Sequence, residues 1–262
     1  MDPRHLTVAE IQAHLARLRR LPERVLHLLA ADDRQAVRRL AARYERARAA
    51  DRLERRRVAR LYREERGRRR AGQIVAGVDE VGRGSLAGPV VAAAVILPEQ
   101  PAIIGLDDSK RLAPEARERL AMAIRTRAVG VAIGTASVEE IDRLNILRAS
   151  WLAMRRAVEA LIPPPDFILV DGRDRLPLGL AQAAVVDGDA SHACIAAASI
   201  VAKVIRDRLM QDLDRAIPGY GFARHKGYGT AEHLAALACH GPCPAHRSAF
   251  LPVSQTTLFP LL

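Results

Sequence analysis

The chain has 262 residues, 49% of them hydrophobic, which is enough for a buried core, yet it holds no apolar run of eighteen residues to cross a membrane. Its formal charge is +11, and the whole excess lies in residues 1–70, which carry 21 Arg against 10 acidic residues. Three cysteines are too few for a disulfide framework and the first ten residues form no apolar signal segment, so we expect a cytoplasmic protein.

The first 70 residues are predicted to be a basic helical N-terminal extension. Helical periodicity over residues 7–30, broken once by a proline, predicts two helices, with Thr7 or the residue before it as N-cap and Glu10 at the capping-box spacing. An arginine-rich helical stretch follows over residues 33–69. The charge favours an electrostatic contact with a polyanion such as nucleic acid, although a solvated helix face is the alternative.

From residue 71 to 262 the pattern changes to strands that alternate with helices, which predicts an α/β domain with a central mixed sheet. The second strand is expected to return antiparallel to the first across a glycine-rich turn. Ser191 is a candidate cap for a long helix that follows the fifth strand. Predicted strands lie near residues 73–81, 89–97, 129–137, 166–172 and 182–186. Predicted helices lie near residues 109–128 and 191–217, with one or two helices near residues 138–161, before a helical tail.

Acidic residues interrupt or close the predicted apolar strands. Asp79 and Glu80 are adjacent in the first strand, Asp171 ends the fourth, and Asp189 follows the fifth. Four carboxylates that converge at one sheet edge cannot all ionise without cations. Oxygen ligands favour Mg²⁺ or Mn²⁺, and two such ions about 4 Å apart clamp the attacking and leaving oxygens of a phosphodiester. The pattern therefore favours a metal-dependent nuclease.

A structural interpretation of these acids stays open at this point. Asp in a Val-Asp-Gly sequence commonly serves a turn, which applies to Asp171 and to the acids on either side of Gly188. Neighbouring strand residues point to opposite faces, so Asp79 and Glu80 share a site only where the strand bends. The glycines that follow them are candidates for that bend.

The turn formed by Gly82, Arg83 and Gly84 lets the backbone approach a ligand closely. Beside a metal-bound phosphate, such a loop can test a ribose 2′-OH, the group that separates RNA from DNA. Two glycines alone are weak support, because turns use glycine everywhere.

Lysine is rare in this chain, since only three of its 41 basic residues are lysine: Lys110, Lys203 and Lys226. A lysine is a compact point charge suited to phosphate contact, unlike the planar arginine fork. We therefore interpret the three lysines as candidate phosphate contacts, with chance placement as the alternative.

Several segments occur in the order and spacing of bacterial ribonuclease HII, a family that the chain resembles over residues 72–253. They are "GVDEVGRGSLAGPVVAAAV", "LDDSKRL", "LVDG", "GDASHACIAAASIVAKVIRD", "YGFARHKGYGTAEH" and "HGPCPAHRSAF". The segment that begins "LTVAEIQAHL" is similar to the N-terminal extension of some longer members.

The resemblance implies a ribonuclease H-like α/β fold whose C-terminal region, about residues 217–262, is helical. It implies cleavage of the RNA strand of RNA–DNA hybrids and at single ribonucleotides embedded in duplex DNA, leaving a 3′-hydroxyl and a 5′-phosphate. The expected partners are these two nucleic acids and no membrane. Protein partners are unknown from the sequence, and a monomer is expected.

The resemblance also implies roles for individual residues. The catalytic, metal-binding acids are Asp79, Glu80, Asp171 and Asp189, with Asp189 preferred to Asp187 because the family pattern places the acid directly after the glycine. Gly82, Arg83 and Gly84 match the motif that senses the 2′-OH through its backbone. Tyr228 is similar to the tyrosine that stacks on the following deoxyribose. Residues near the substrate phosphates are Ser109, Lys110, Ser199 and Lys203, joined by Lys226 from the lysine argument.

The sequence departs from the family at Ser85, where many members carry proline, and a small residue still fits the turn. The segment "CHGPCPAH" gathers Cys239, His240, Cys243 and His246, a set that resembles zinc ligands. The family tail carries the histidines without metal, so two Mn²⁺ or Mg²⁺ ions and no zinc are expected.

Two alternative functions remain at this point. One is another divalent-metal nuclease of ribonuclease H-like fold, which would cut without a 2′-OH. The other is a non-catalytic nucleic-acid binder, which would not need all four acids.

Overall fold

The computed structural model describes residues 5–18 and 21–258, with side chains as far as residue 255. Residues 19–20 of the first predicted helical stretch and residues 259–262 of the predicted tail lie outside the described part. The chain divides into two compact units, Met1–Arg57 and Val58–Leu262, and each is described by itself. The sequence places the domain boundary near residue 70, and that boundary stays a prediction.

The smaller unit consists of helices around a small leucine-rich cluster. Its helices are α1 (Val8–Ala16), α2 (Glu23–Ala30) and the first part of α3 (Gln35–Leu61). The Thr7 side chain caps α1, and the Glu10 carboxylate accepts a 2.8 Å hydrogen bond from the Thr7 amide, so the predicted capping box is confirmed. The buried apolar residues are Ile11, Leu15, Leu26, Leu29, Val37, Leu40 and Ala41.

The larger unit is built on a five-stranded mixed sheet in the order β3-β2-β1-β4-β5. Strand β2 is antiparallel to both β1 and β3, whereas β4 is parallel to β1 and β5. The predicted mixed sheet and the antiparallel return of the second strand are therefore confirmed. The strands are β1 (Val75–Val81), β2 (Val90–Ile96), β3 (Gly130–Ala136), β4 (Phe167–Asp171) and β5 (Ala181–Val185).

Helices cover both faces of the sheet. The early ones are α4 (Arg63–Arg70), α5 (Pro114–Arg127), α6 (Val138–Leu144) and α7 (Ile146–Glu159). The later ones are α8 (Gly188–Ser191), α9 (Ala193–Ala216), α10 (Phe222–His225), α11 (Ala231–His240) and α12 (Val253–Leu258). Helix α9 packs on one face of the sheet with the end of α3 and α5, and α7 packs on the other.

One predicted cap is wrong. Helix α9 begins at Ala193 with His192 at its N-cap, so Ser191 lies too early in the chain to cap it. The Ser191 hydroxyl instead donates to the carbonyl oxygen of Asp187, 3.1 Å away, within the short helix α8. Of the one or two helices predicted near residues 138–161, the structure has two, because Asn145 adopts a positive φ of 69° between them.

Residues just before the sheet take part in its core. Tyr62 is fully buried, and its hydroxyl accepts a 3.1 Å hydrogen bond from the Ile103 amide. The buried Glu65 carboxylate on α4 accepts a 2.8 Å hydrogen bond from the Cys194 amide, in the first turn of α9. A free amide at a helix N-terminus needs such an acceptor, so α4 helps to stabilise the start of α9.

Candidate active site

The parallel arrangement of β1, β4 and β5 brings the predicted acids to one edge of the sheet. Asp79 and Glu80 lie near the end of β1, and Asp171 is the last residue of β4. Asp189 follows β5 within α8. Since parallel neighbouring strands end at the same edge, residues that are distant in sequence meet there.

Asp79 is buried on β1, and its Oδ1 accepts a 2.7 Å hydrogen bond from the Glu80 amide. Burial raises the pKa of Asp79 well above its usual range, and the charges of Glu80 and Asp171 raise it further. Strand β1 stays paired with β2 through Val81, so the predicted bend follows the acid pair at Gly82, where φ is 95°.

Glu80 is influenced by an acidic and a basic neighbour, Asp171 and Arg83. Burial raises the pKa of Glu80 to about 7, and nearby Asp171 contributes to the rise. The Arg83 guanidinium opposes it from 3.2 Å. A carboxyl group with a raised pKa in a cluster of acids is typical of a functional site.

Asp171 and Asp189 lie on two elements that are hydrogen-bonded to each other. Oδ1 of Asp171 accepts a 2.8 Å hydrogen bond from the Gly188 amide. Burial raises the pKa of Asp171, and this hydrogen bond opposes the rise. Burial also raises the pKa of Asp189, to about 6, and the charges of Asp108 and Asp171 add to it.

The four carboxylates are electrostatically coupled but do not surround one common point. Across residues 5–18 and 21–258, no three His, Cys, Asp or Glu side chains form a ready ligand set for one ion. The donor set nevertheless fits a divalent cation, since it offers only carboxylate oxygens whose pKa values are raised by burial and by each other. A bound cation would offset that repulsion.

Ser109, Lys110 and Ser199 lie beside the acids. The Ser199 hydroxyl donates a 2.9 Å hydrogen bond to the buried Ser109 hydroxyl, and hydrogen bonding to Ser199 lowers the pKa of Asp79. The Lys110 ammonium lies 4.0 Å from Oδ2 of Asp189, and the lysine side chain is 82% exposed. Lys110 can therefore reach a phosphate at the site.

Lys203 and Lys226 are organised around a different acid. The Lys203 ammonium donates a 2.6 Å hydrogen bond to Asp207, and the Arg117 guanidinium lies 4.0 Å from the same carboxylate. The Lys226 ammonium donates to the Ala223 carbonyl at 2.7 Å, and the charge of Asp207 reaches it too. Asp214 also acts on Lys226, so three cations face two carboxylates and the group keeps a positive balance.

The glycine-rich turn and Tyr228 are brought together although 144 positions separate their segments of sequence. Ser85 forms an antiparallel β-bridge with Tyr228, and the Leu86 amide donates to the Gly227 carbonyl at 2.8 Å. Tyr228 is 36% exposed, so part of the residue is accessible to a ligand. A backbone turn and an aromatic ring thus form one surface.

The residues that resembled a zinc set make other contacts. His246 Nδ1 accepts a hydrogen bond from the Cys243 amide at 3.0 Å, and its Nε2 lies 3.1 Å from Nε2 of His233. Cys239 is exposed, and the His240 ring packs edge-on against Tyr220. The histidines belong to a hydrogen-bonded aromatic cluster in the C-terminal region.

Comparison with known proteins decides the family. The family described as "Ribonuclease HII" matches residues 76–253, and its "Ribonuclease HII N-terminal domain" matches residues 7–68. A ribonuclease HII of Geobacillus kaustophilus is 50% identical over 250 residues, which is 95% of each chain. The chain belongs to the ribonuclease HII family. A ribonuclease HII of Albidiferax ferrireducens is 60% identical over 183 residues, 70% of this chain and 88% of that one.

Solved structures agree with that membership. The ribonuclease H2 of Pyrococcus horikoshii is 26% identical, has a TM-score of 0.57, and matches 69% of this chain and 95% of its own. A ribonuclease HII of Archaeoglobus fulgidus, solved in complex with PCNA, is 27% identical with a TM-score of 0.57 over 68% and 95% of the two chains. The ribonuclease H-like fold is therefore confirmed, and the protein is an endoribonuclease that cleaves the RNA strand of RNA–DNA hybrids. None of the helices in the described ranges is long and apolar enough to span a membrane.

Sequence reasoning missed two residues of this chain that lie under the glycine-rich turn. Arg206 on α9 and Arg247 are both fully buried, and Arg247 donates to the Gly82 carbonyl at 2.7 Å. Burial lowers the pKa of both guanidinium groups, that of Arg247 to about 9. The chain contains 38 arginines, and nothing in their sequence context distinguishes a buried one from a solvated one.

Proposed function

We propose that this protein cuts RNA–DNA hybrids and also duplex DNA at a single embedded ribonucleotide, leaving a 3′-hydroxyl and a 5′-phosphate. The observation that carries the proposal is the juxtaposition of four acids at the sheet edge with the backbone turn that follows β1. Only Val81 separates Asp79 and Glu80 from the turn Gly82-Arg83-Gly84 in the chain. Chemistry and 2′-OH recognition would then share one segment.

The acids Asp79, Glu80, Asp171 and Asp189 would hold two divalent ions, Mn²⁺ or Mg²⁺. When bound, such ions activate water and stabilise charge on the departing 3′-oxygen. The chain supports this with oxygen ligands alone, and burial raises the pKa of Asp79 well above its usual range in the absence of a compensating charge. Ser109 and Ser199 would fix the orientation of Asp79 through their hydrogen bonds.

Substrate discrimination would rest on backbone and ring contacts. The amides of the Gly82-Arg83-Gly84 turn would test the 2′-OH of the ribonucleotide. Tyr228, bridged to Ser85 and partly exposed, would stack on the next deoxyribose and so select an RNA-to-DNA junction. A backbone test suits this purpose, because a fixed N–H group cannot rotate away from the sugar.

Phosphate contacts would come from the lysines in two groups. Lys110 would meet a phosphate beside the acids, and Lys203 with Lys226 and Arg117 would meet one farther along α9. The second group contains three cations against the two carboxylates of Asp207 and Asp214, which favours an anion.

The basic residues before the sheet would add salt-sensitive duplex affinity. Arg60, Arg63 and Arg70 are exposed at the end of α3 and on α4. Replacing these three with Gln should reduce the slope of log binding constant against log salt by up to about 3, at about 0.9 per phosphate contact. An unchanged slope would show that this segment has another role.

A sliding clamp is a protein partner worth testing, because the Archaeoglobus relative was solved in complex with PCNA. The chain carries the apolar sequence Leu-Phe-Pro-Leu-Leu at residues 258–262, and short apolar segments can dock in partner grooves. Surface plasmon resonance should detect binding of the full chain to the host's replicative clamp, and no binding of a chain that ends at residue 254. Equal binding by both would place the contact elsewhere.

We further propose a monomer in the cytoplasm. The three cysteines, Cys194, Cys239 and Cys243, are all unpaired, as suits a reducing compartment. Light scattering coupled to size-exclusion chromatography tests whether the protein is a monomer in solution.

The proposed cleavage is tested by mapping products from an end-labelled hybrid and from a duplex with one ribonucleotide. Extension of the upstream fragment by a DNA polymerase reports the 3′-hydroxyl, and a mobility change of the 3′-end-labelled downstream fragment on phosphatase treatment reports the 5′-phosphate. A metal nuclease that ignores the 2′-OH would also cut an all-DNA duplex. A non-catalytic binder would give no products and would tolerate neutralisation of the acids.

A further inference from the structure

Two fully buried arginines lie beneath the Gly82-Arg83-Gly84 turn. In residues 5–18 and 21–258, the hydrogen bonds of Arg206 and Arg247 run to backbone carbonyl oxygens and not to carboxylates. A buried guanidinium is unfavourable unless its N–H groups find acceptors. The carbonyl oxygens that fill this need are consequently fixed in direction.

Arg247 holds the turn itself. Its Nη2 donates to the Gly82 carbonyl at 2.7 Å and its Nη1 donates to the Arg83 carbonyl at 2.9 Å. The Nε and Nη2 atoms also donate to the Gly88 carbonyl, at 3.0 and 2.8 Å, where the chain leaves the turn. One planar side chain thus ties both ends of the turn together.

Arg206 holds the neighbouring backbone. It donates to the carbonyl oxygens of Ala87, Pro89 and Lys226, at 3.1, 3.0 and 2.9 Å. Its guanidinium carbon lies 5.7 Å from the centre of the Tyr228 ring. Arg206 therefore joins the loop that bears Tyr228 to the start of β2. The carbonyl oxygens within the turn accept their side-chain hydrogen bonds from Arg247 instead.

The direction of the carbonyls determines the direction of the amides. In a planar trans peptide the C=O and the following N–H point in opposite directions. The bonds after Gly82 and Arg83 are not among the cis peptides of the described chain. Since those carbonyls point inward to a buried side chain, the N–H groups of Arg83 and Gly84 point outward, and both residues are exposed.

We propose that Arg247 is the positioning residue for 2′-OH recognition, because it locks two consecutive peptide planes so that the amides of Arg83 and Gly84 face the ribose. The inference rests on the proposed function. An amide in that position donates to a 2′-oxygen, and a deoxyribose offers no acceptor in return. Lysine cannot take over this role, since its single ammonium nitrogen cannot reproduce the rigid guanidinium fork that donates to three carbonyl oxygens.

The test is a binding comparison in the full-length chain with Asp79→Asn added, so that substrate is not cut. Two duplexes are used that differ by one 2′-OH, and dissociation constants are measured for both. Arg247→Lys keeps the charge, and Arg247→Gln, which buries no charge, is the second variant in case the first folds poorly. Leu161→Ala is the control for lost stability, because Leu161 is buried and packs beside Gly130, the first residue of β3, at the end of the sheet opposite to the turn.

The expected result is a loss of at least about tenfold in the preference for the ribonucleotide duplex, the effect of roughly one well-placed hydrogen bond. Affinity for the all-DNA duplex should stay within about twofold, and Leu161→Ala should keep the preference despite a lower melting temperature. An unchanged preference in both Arg247 variants overturns the inference, as does an equal loss of affinity for both duplexes. If the parent protein shows no preference, the proposed function fails and the inference fails with it.

Discussion

The Gly188 amide and the Asp171 carboxylate form a 2.8 Å hydrogen bond that joins the end of β4 to the turn bearing Asp189. A Cβ at residue 188 would lie 3.1 Å from Oδ1 of Asp171 and 2.6 Å from Cδ1 of Ile195. The Ile195 methyl lies at the end of a flexible side chain and can turn away, whereas the Asp171 carboxylate would have to shift by a few tenths of an ångström. A side chain at residue 188 would therefore disturb the relative position of these two acids.

Gly188→Ala is expected to lower kcat by up to about tenfold with little change in substrate affinity, because the added Cβ shifts the Asp171 carboxylate by a few tenths of an ångström and turnover depends on the placement of catalytic groups. Steady-state kinetics on a hybrid substrate provide the measurement. Gly179→Ala is the matched control, since a Cβ there meets nothing within 4 Å. Equal activity of the two variants would mean that the hydrogen bond does not position Asp171.

Asp79→Asn is expected to lower turnover at least about a thousandfold, because a lost ligand removes several kcal/mol of charge stabilisation. Substrate binding should remain, since the phosphate contacts are on other residues. Asp187→Asn is the matched control, because Asp187 has a positive φ of 51°, which asparagine tolerates, and the proposed site does not include it. An active Asp79→Asn, or an inactive Asp187→Asn, would reverse the assignment.

Divalent ions are expected to stabilise the protein more at high pH. Burial raises the pKa of Glu80 to about 7 from an ordinary value near 4.5, so the folded state holds that proton more tightly than the unfolded state. The contribution of the Glu80 proton to folding stability is fully present below about pH 4.5 and is lost as the pH rises through about 7. Asp189, whose pKa burial raises to about 6, acts in the same direction.

The measurement is the melting temperature with and without Mn²⁺ at pH 5.5 and pH 8. The ion requires ionised carboxylates, so its stabilising effect should be larger at pH 8. Glu80→Gln should raise the melting temperature of the ion-free protein at pH 8 and weaken the effect of Mn²⁺. An effect of Mn²⁺ that is equal at both pH values in the wild type would argue against binding at these acids.

Much of the fold followed from sequence patterns, and the failures have physical causes. The apolar strands and the capping box at Thr7 depend on local chemistry, which the sequence displays directly. The predicted cap of α9 was wrong because the Ser191 hydroxyl donates a hydrogen bond to the Asp187 carbonyl oxygen, within the turn that precedes the helix. The buried roles of Arg206, Arg247 and Glu65 depend on tertiary contacts with residues more than 100 positions away, which no local pattern records.

The candidate site divides in the same way. Four acids at strand ends were visible in the sequence because carboxylates interrupt apolar runs. The three lysines were grouped by composition, yet the structure separates Lys110, beside Asp189, from Lys203 and Lys226, near Asp207. Composition reports which residue types are rare but not which of them meet.

Lys110→Ala is expected to weaken binding by a similar factor for every duplex and to reduce the salt slope by about 1, as one phosphate contact is lost. Its side chain is mostly exposed, so little stability should change. Lys203→Ala is the comparison, because Lys203 is paired with Asp207 at 2.6 Å and is expected to change the slope less. A Lys110 variant that changes only the preference for the ribonucleotide would contradict a phosphate role.

The most direct test of the central claim is the cleavage rate on two DNA duplexes that are identical except for one 2′-OH, with Mg²⁺ or Mn²⁺ present. The account predicts a single cut 5′ to the ribonucleotide in one duplex and no cut in the other. Equal cutting of both, or no cut at the ribonucleotide, would contradict 2′-OH-dependent hydrolysis at this site.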